Sequence, residues 1–180
     1  MKALLTLVVL LASIAAGHAA VLHLAPSFIM GRAMAAMEQR GIPTHAFRLA
    51  PRMTPQTQTV VRPSPDLAYS LCLFDFSDGV EAVEIEAAAW GDYASVSLFD
   101  ERTDNFARQR GNGERIALRL LPPGSPEAKS RADGIVVAPS HSGIVLIRRL
   151  APTKQAYREI EKIAVQDECR AVEQLSLIHI

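Results

Sequence analysis

The sequence is short of the residues in which most catalytic fingerprints are written. It holds only two cysteines, so neither a CxxC redox pair nor a cysteine-rich zinc site can be assembled from it. No HExxH, no Walker-type phosphate loop and no GxGxxG occurs, which removes the usual signatures of a zinc hydrolase, a P-loop nucleotidase and a dinucleotide-binding enzyme. The sequence points to no cofactor and no metal. Net charge is missing too, because 19 basic and 19 acidic side chains cancel. Lys2 and Arg32 are the only charges among the first 32 residues, so the remainder is slightly acidic. A weakly acidic domain without a basic stripe argues against nucleic acid as the partner.

The longest absence is of charge between Ala3 and Gly31. Two readings compete for this stretch. Lys2, the apolar run to Ala16 and the small residues Gly17-His18-Ala19-Ala20 fit a signal peptide cleaved near Ala19. Apolar character then resumes at Val21–Ala25 and at Phe28-Ile29-Met30, and the whole exceeds the roughly 20 residues that a bilayer core requires. The anchor reading is preferred; it places the N-terminus inside and makes the chain single-pass, and both readings export the rest of the chain. His18 and His23 are read as interfacial or packing residues rather than metal ligands.

Around Arg62–Asp75 the chain changes character. Pro63 and Pro65 bracket Ser64 and stiffen the approach to Asp66, after which Leu71-Cys72-Leu73-Phe74 forms a dense apolar run. Ser77-Asp78-Gly79 then reads as the turn of a hairpin whose second strand starts at Val80. Alternation marks further strands over Val80–Glu86, Tyr93–Phe99 and Arg115–Leu121. Ile135–Ala138 and Ile144–Ile147 read as a second hairpin across Pro139–Gly143. Arg108–Gly113 and Pro122–Asp133 read as loops. Ala33–Arg40 reads as a short helix closed by Gly41 and Pro43, and Pro43 to Gln58 as an extended linker laid along the domain. Thr153 caps a helix expected to run to about Val172 with Tyr157, Ile160, Ile163 and Ala164 inward.

The resulting fold class is mainly β, a β-sandwich-like domain with one N-terminal transmembrane helix and one C-terminal packing helix. The domain plan is 1–31 anchor or uncleaved signal, 32–58 helix and linker, and 59–174 exported β domain. Residues 175–180, Leu-Ser-Leu-Ile-His-Ile, match a translated sequencing adaptor and are read as an assembly scar.

Several side chains invite a chemical reading. Arg62, Asp66 and Tyr69 could line a ligand site as carboxylate binder, base and donor. The structural alternative has Asp66 capping the turn after Pro65 and Arg62 pairing with Asp75 or Asp100. Asp100, Asp104 and Asn105 crowd one loop and offer oxygen ligands, without the spacing of a calcium loop. Ser140-His141-Ser142 places a nucleophile beside a base in sequence, yet neighbours on a tight turn point apart, and a surface turn is the better reading.

Val61–Ser70, Phe74–Gly79, Gly91–Asp100 and Thr103–Phe106, in that order, resemble the domain of unknown function 1254 family. The likeness is to its small membrane-anchored bacterial members, whose anchor carries a His like His23 ahead of a proline like Pro26, and it covers most of residues 20–172. The resemblance implies a β-rich fold and an envelope location, with no established activity. Long relatives also carry a domain of unknown function 1214, which implies an envelope protein partner bearing that domain. At Leu67-Ala68 the sequence departs from the Thr-Leu usual in those long relatives.

Cys72 and Cys169, in an exported domain, allow one intramolecular disulfide. The last turn of the C-terminal helix is expected to deliver Cys169 over the strand holding Cys72. The other reading is two unrelated thiols, Cys72 being a small core filler. The resemblance favours pairing, because the small relatives tend to have a cysteine in both places. Function then divides between an envelope-anchored module facing the periplasm beside a partner protein, and a periplasmic enzyme or small-ligand-binding protein with a site near Arg62, Asp66 and Tyr69.

Overall fold

The structure is a computed structural model and describes residues 1–54, 63–126 and 134–173. The chain begins with a single helix, α1 (Lys2–Gln39), that carries Pro26 within it. Proline removes one backbone donor, yet the helix continues because the following turns keep their own ladder. The Ala33–Arg40 segment is the end of this same helix and not a separate one. Gly41, with φ 76°, terminates it. Its N–H donates to Glu38 O and the Ile42 N–H to Met37 O, the paired bonds of a Schellman motif.

Among the described residues nine strands follow in two sheets. They are β1 (Arg48–Leu49), β2 (Leu67–Asp75), β3 (Val80–Ala87), β4 (Ala94–Asp100), β5 (Asn105–Arg110), β6 (Ile116–Leu121), β7 (Ile135–Val137), β8 (Ser142–Leu150) and β9 (Glu168–Glu173). A five-stranded sheet has the order β1-β2-β8-β4-β5, and a four-stranded sheet the order β7-β6-β3-β9. Inward residues of both sheets build one core. Cys72, Phe74, Val96, Leu98, Val145 and Ile147 come from the first sheet, and Val83, Ile85, Ile116, Leu118, Leu120 and Cys169 from the second. The mainly β class read from the sequence therefore stands.

Both expected hairpins are instead crossings between sheets. β2 lies between β1 and β8, so neither of its edges is open to β3, which pairs with β6 and β9 in the opposite sheet. The physical reason is that β2 is apolar on both faces: Cys72 and Phe74 point inward while Leu73 is covered by α1. A strand of that kind belongs in the middle of a covered sheet. Likewise β7 runs parallel to β6, while β8 crosses to lie between β2 and β4. Gly143 sits at that crossing, where a Cβ would meet the Phe99 carbonyl oxygen and the Phe74 ring. Arg108–Arg110, read from the sequence as loop, belongs to β5.

The C-terminal helix is shorter than the periodicity suggests. α2 spans Lys154–Ile163 with the Thr153 hydroxyl accepting from Ala156 N–H, and Tyr157 and Ile160 are buried. One 3₁₀ turn (Ala164–Gln166) follows, and then the chain becomes β9. Cys169 thus reaches Cys72 from a strand, with Cys169 opposite Ile85 in the ladder. The disulfide forms, with the two Cα atoms 6.6 Å apart and 97 positions between them. It ties the two sheets through the middle of the core. On the chain-entropy account a loop of this length contributes about 4–5 kcal/mol.

Candidate functional site

The residues singled out from the sequence are spread over the five-stranded sheet. Asp66 is exposed; its N–H donates to Ser64 Oγ, and its carbonyl accepts from Ala151 N–H. Tyr69 is half-buried, and its hydroxyl accepts from Ser64 N–H at 2.8 Å, pinning the stiff segment before β2 onto the sheet. Burial pushes the Tyr69 hydroxyl above its ordinary pKa, opposed by the Ser64 backbone bond and the Arg148 charge. Asp100 is buried, and its Oδ1 accepts from the N–H groups of Arg102 and Asp104, both at 2.8 Å, so it caps the turn between β4 and β5. Asn105 is exposed at the start of β5. Arg62 lies outside the described residues, as do Gln56–Gln58 of the linker and the 175–180 segment.

Register shows how far apart these groups are. Tyr69 shares a row with Arg148, Ser95 and Arg110, whereas Asn105 shares one with Phe99, Ile144 and Leu73. Three strand spacings and four residues separate Tyr69 from Asn105, roughly 20 Å. Asp66 and Tyr69 are brought to one corner by the Ser64 turn, while Asp100 and Asn105 stand at another. Ser140 Oγ accepts from Glu101 N–H and donates to Ser142 O, so it is engaged in the loop and holds no bond to His141. Among the described residues no three His, Cys, Asp or Glu side chains gather into a metal-binding group. A shallow groove of about 550 Å³ lies between β1 and α2, lined by Phe47, Leu49, Pro51, Tyr157 and Val165. Arg48 and Glu161 also line it, and no ion pair joins them among the described residues.

Arginines form the arrangement that the sequence reading passed over. Arg149 is inward on β8 and 1% exposed. Its guanidinium is bidentate to Asp167 at 2.6 and 2.8 Å and also donates to Ala88 O. Ser70 Oγ and Ala88 N–H complete the acceptor sites of Asp167. The pair joins β8 of one sheet to the segment before β9 of the other; the Arg149 Nε–H is buried without an acceptor among the described residues, while both terminal nitrogens are engaged, as in a structural ion pair. Its signal was available: in a strand alternating as Val145 and Ile147 inward, position 149 also falls inward, and a buried Arg needs a carboxylate.

Arg148 faces the other way. It is half-buried on the outer face, and its Nη2 donates to Ser97 Oγ at 2.7 Å. Its Nε–H is buried without an acceptor among the described residues. Arg110 shares its row and lies 5.4 Å from the Tyr93 ring centroid, while Arg108 is exposed in the next row beside Ser97. No ion pair to Arg108, Arg110 or Arg148 occurs among the described residues. The outer face of the five-stranded sheet is therefore part apolar, under α1, and part cationic.

These features define a class: a two-sheet, disulfide-tied β domain carried on an apolar N-terminal helix long enough to cross a membrane. More particularly, the chain belongs to the family described as "Protein of unknown function (DUF1254)", whose model matches residues 44–171. The VPA0106 protein from Vibrio parahaemolyticus has a similar fold, with TM-score 0.60 and 12% identity over 82% of this chain and 35% of that one. An uncharacterised protein from Burkholderia cenocepacia aligns with TM-score 0.44 and 10% identity over 71% of this chain and 35% of that one. This chain thus spans about a third of the length of both solved proteins. No curated protein matches the sequence.

Proposed function

We propose that this protein is an envelope module held in a bacterial inner membrane by α1, with its β domain in the periplasm, where it acts with a partner bearing a domain of unknown function 1214. The observation that carries this reading is the continuity of α1. Its first part exposes Leu4, Leu5, Val8, Leu11 and Ile14, and its last turns carry Met30 buried against Leu73 and Ile144 of the β domain. The helix is both lipid-compatible and part of the domain's packing. Cleavage near Ala19 would leave Val21, Leu22, Leu24, Phe28 and Ile29 on a water-exposed stub, each 59–70% exposed. The Cys72–Cys169 bond accords with an oxidising compartment. The partner reading draws on the solved structure with the same fold, which extends well beyond the part this chain matches.

The alternative of a small-ligand or catalytic site around Arg62, Asp66 and Tyr69 has less support, because Tyr69 is engaged with Ser64 and Asp66 projects into solvent. Carbonate extraction of membranes is expected to leave the full chain in the pellet, and an alkaline phosphatase fusion after the β domain to be active. Cross-linking followed by detergent solubilisation is expected to recover the partner. A chain released by carbonate, or a mature mass beginning near Ala20, overturns the anchor. Recovery of the chain alone at native abundance overturns the partner.

A further inference from the structure

The way α1 leaves the domain sets which edge meets the bilayer. At one end Arg102 Nη1, on the turn between β4 and β5, donates to His23 O at 3.1 Å. At the other, beyond the helix, Leu73 N–H on β2 donates to Pro43 O, and Thr44 bridges Leu73. Between these points Met30, Met34 and Met37 pack with Phe99, Ile144 and Leu73, which share one row across β4, β8 and β2. The helix therefore crosses the strands from the β4–β5 side to the β2 side. A spanning helix stands near the membrane normal, so the strands run along the bilayer surface and β5, outermost in the sheet order, is nearest to it.

Spacing gives the height. β5 is three strands below β2, about 14 Å at the usual separation. That equals about nine or ten residues of helix, which places β5 level with residues 27–28 of α1 if β2 is level with Met37. Phe28 and Ile29 are 70% and 59% exposed, so the lipid-facing surface of the helix reaches the height of β5. The edge strand thus stands at headgroup level.

Its chemistry suits that level. β5 carries exposed Arg108 and Arg110 and no acid, and Arg110 lies over Tyr93, an amphipathic ring of the kind favoured at membrane interfaces. Glu101, Arg102 and Asp104 stand on the adjoining turn and Glu114 in the next loop, while the charges on the strand itself, Arg108 and Arg110, are both positive. Arg32 is exposed one turn above Phe28. Among the described residues β5 has a partner strand on one side only, so its outer backbone groups are open, and arginines at such an edge also discourage pairing with another chain.

We propose that the β5 edge, through Arg108 and Arg110, binds the phosphate headgroups of the bilayer that α1 spans and so holds the β domain upright on the membrane. The inference rests on the anchored reading. The test uses the full chain in nanodiscs of phosphatidylcholine with and without phosphatidylglycerol, and in detergent, with hydrogen exchange read at residues 106–110. Exchange is expected to slow by about tenfold or more in phosphatidylglycerol discs relative to detergent, the scale of two basic side chains at an anionic surface. The double variant R108E/R110E is expected to lose that protection while β2 and β8 exchange as before. Should it fail to fold, R108Q/R110Q and loss of wild-type protection in high salt read the same contact. Protection that survives both double variants and high salt reports steric shielding and overturns the proposal, as does equal β5 exchange in all three environments. A chain that does not insert into the discs overturns the anchor along with it, whereas an inserted chain with an unprotected β5 overturns the headgroup contact alone.

Discussion

The outer faces of the two sheets treat charge in opposite ways. On the four-stranded sheet Glu84 is paired with Arg119 and Arg170, and Glu86 with Arg115, across neighbouring strands. That face carries cross-strand pairs of opposite charge and suits water. The five-stranded sheet covers one row of its outer face with the methionines of α1, and leaves Arg108, Arg110 and Arg148 without carboxylates among the described residues. Cross-strand pairs of opposite charge cost a sheet nothing and stabilise it slightly. Of the arginines left without them, beside a membrane-compatible helix, Arg108 and Arg110 are the groups that the proposed headgroup contact uses. Adjacent residues on β8 show the same split: Arg149 turns inward to a carboxylate, and Arg148 turns outward to Ser97.

Substitutions can probe this contrast at several points. The largest effect is expected from joining or separating the sheets. Replacing Cys72 and Cys169 by Ser should lower stability by about 4–5 kcal/mol, read from denaturant unfolding of the detergent-solubilised chain. A midpoint equal to that of the disulfide-bonded protein would show that core packing alone holds the sheets together.

Next comes the buried pair. Asp167→Ala leaves the Arg149 guanidinium uncompensated and is expected to cost about 3–5 kcal/mol in the same measurement. The double replacement Arg149→Met with Asp167→Leu should recover most of that loss, because it removes both charges from the interior. If the double variant is as unstable as the single one, the pair also fixes geometry that apolar packing cannot.

Smaller effects separate the outer faces. Glu84→Gln and Arg148→Gln should each change stability by less than about 1 kcal/mol, since partly exposed charges contribute little. They should differ in another respect. Arg148→Gln removes a positive charge that favours the Tyr69 phenolate, so an ultraviolet titration should find Tyr69 ionising at still higher pH. Glu84→Gln, on the other sheet, should leave that titration in place.

A further prediction concerns alkaline pH. Burial raises the hydroxyl pKa of both Tyr69 and Tyr157 above the ordinary value of 10.0, and Glu161 adds to the shift of Tyr157. A raised pKa means that the native state holds its proton more tightly than the unfolded chain. The stabilisation is therefore complete below about pH 10 and is lost as pH rises through the native value. Denaturant midpoints should fall on the alkaline side, and Tyr157→Phe should flatten that fall. It should also lower the neutral-pH midpoint by about 1 kcal/mol, because the bond from Tyr157 to Ala50 O is lost.

Local pattern carried much of this architecture. A charge-free stretch from Ala3 to Gly31 can hardly be anything but a long apolar helix, because no charged side chain interrupts it for solvent to favour. Alternation at Val83-Glu84-Ile85-Glu86 and Ile116–Leu120 set the two faces of those strands, since a period of two admits one inward set. Thr153 specified its cap by the same local logic. Partnership between distant segments was decided only by the tertiary structure. Asp78-Gly79 is a turn in either topology, and what sends β3 to the other sheet is that β1 and β8 already occupy both edges of β2. Residues 168–173 carry a pattern that suits a helix, and they become β9 because Asp167 is held by Arg149 and the open edge of β3 satisfies their backbone. The candidate site divides in the same way. Tyr69 and Asp100 are legible as residues, but whether a side chain meets Ser64, a turn or another strand's arginine depends on contacts tens of positions away, where a one-dimensional pattern carries no distance.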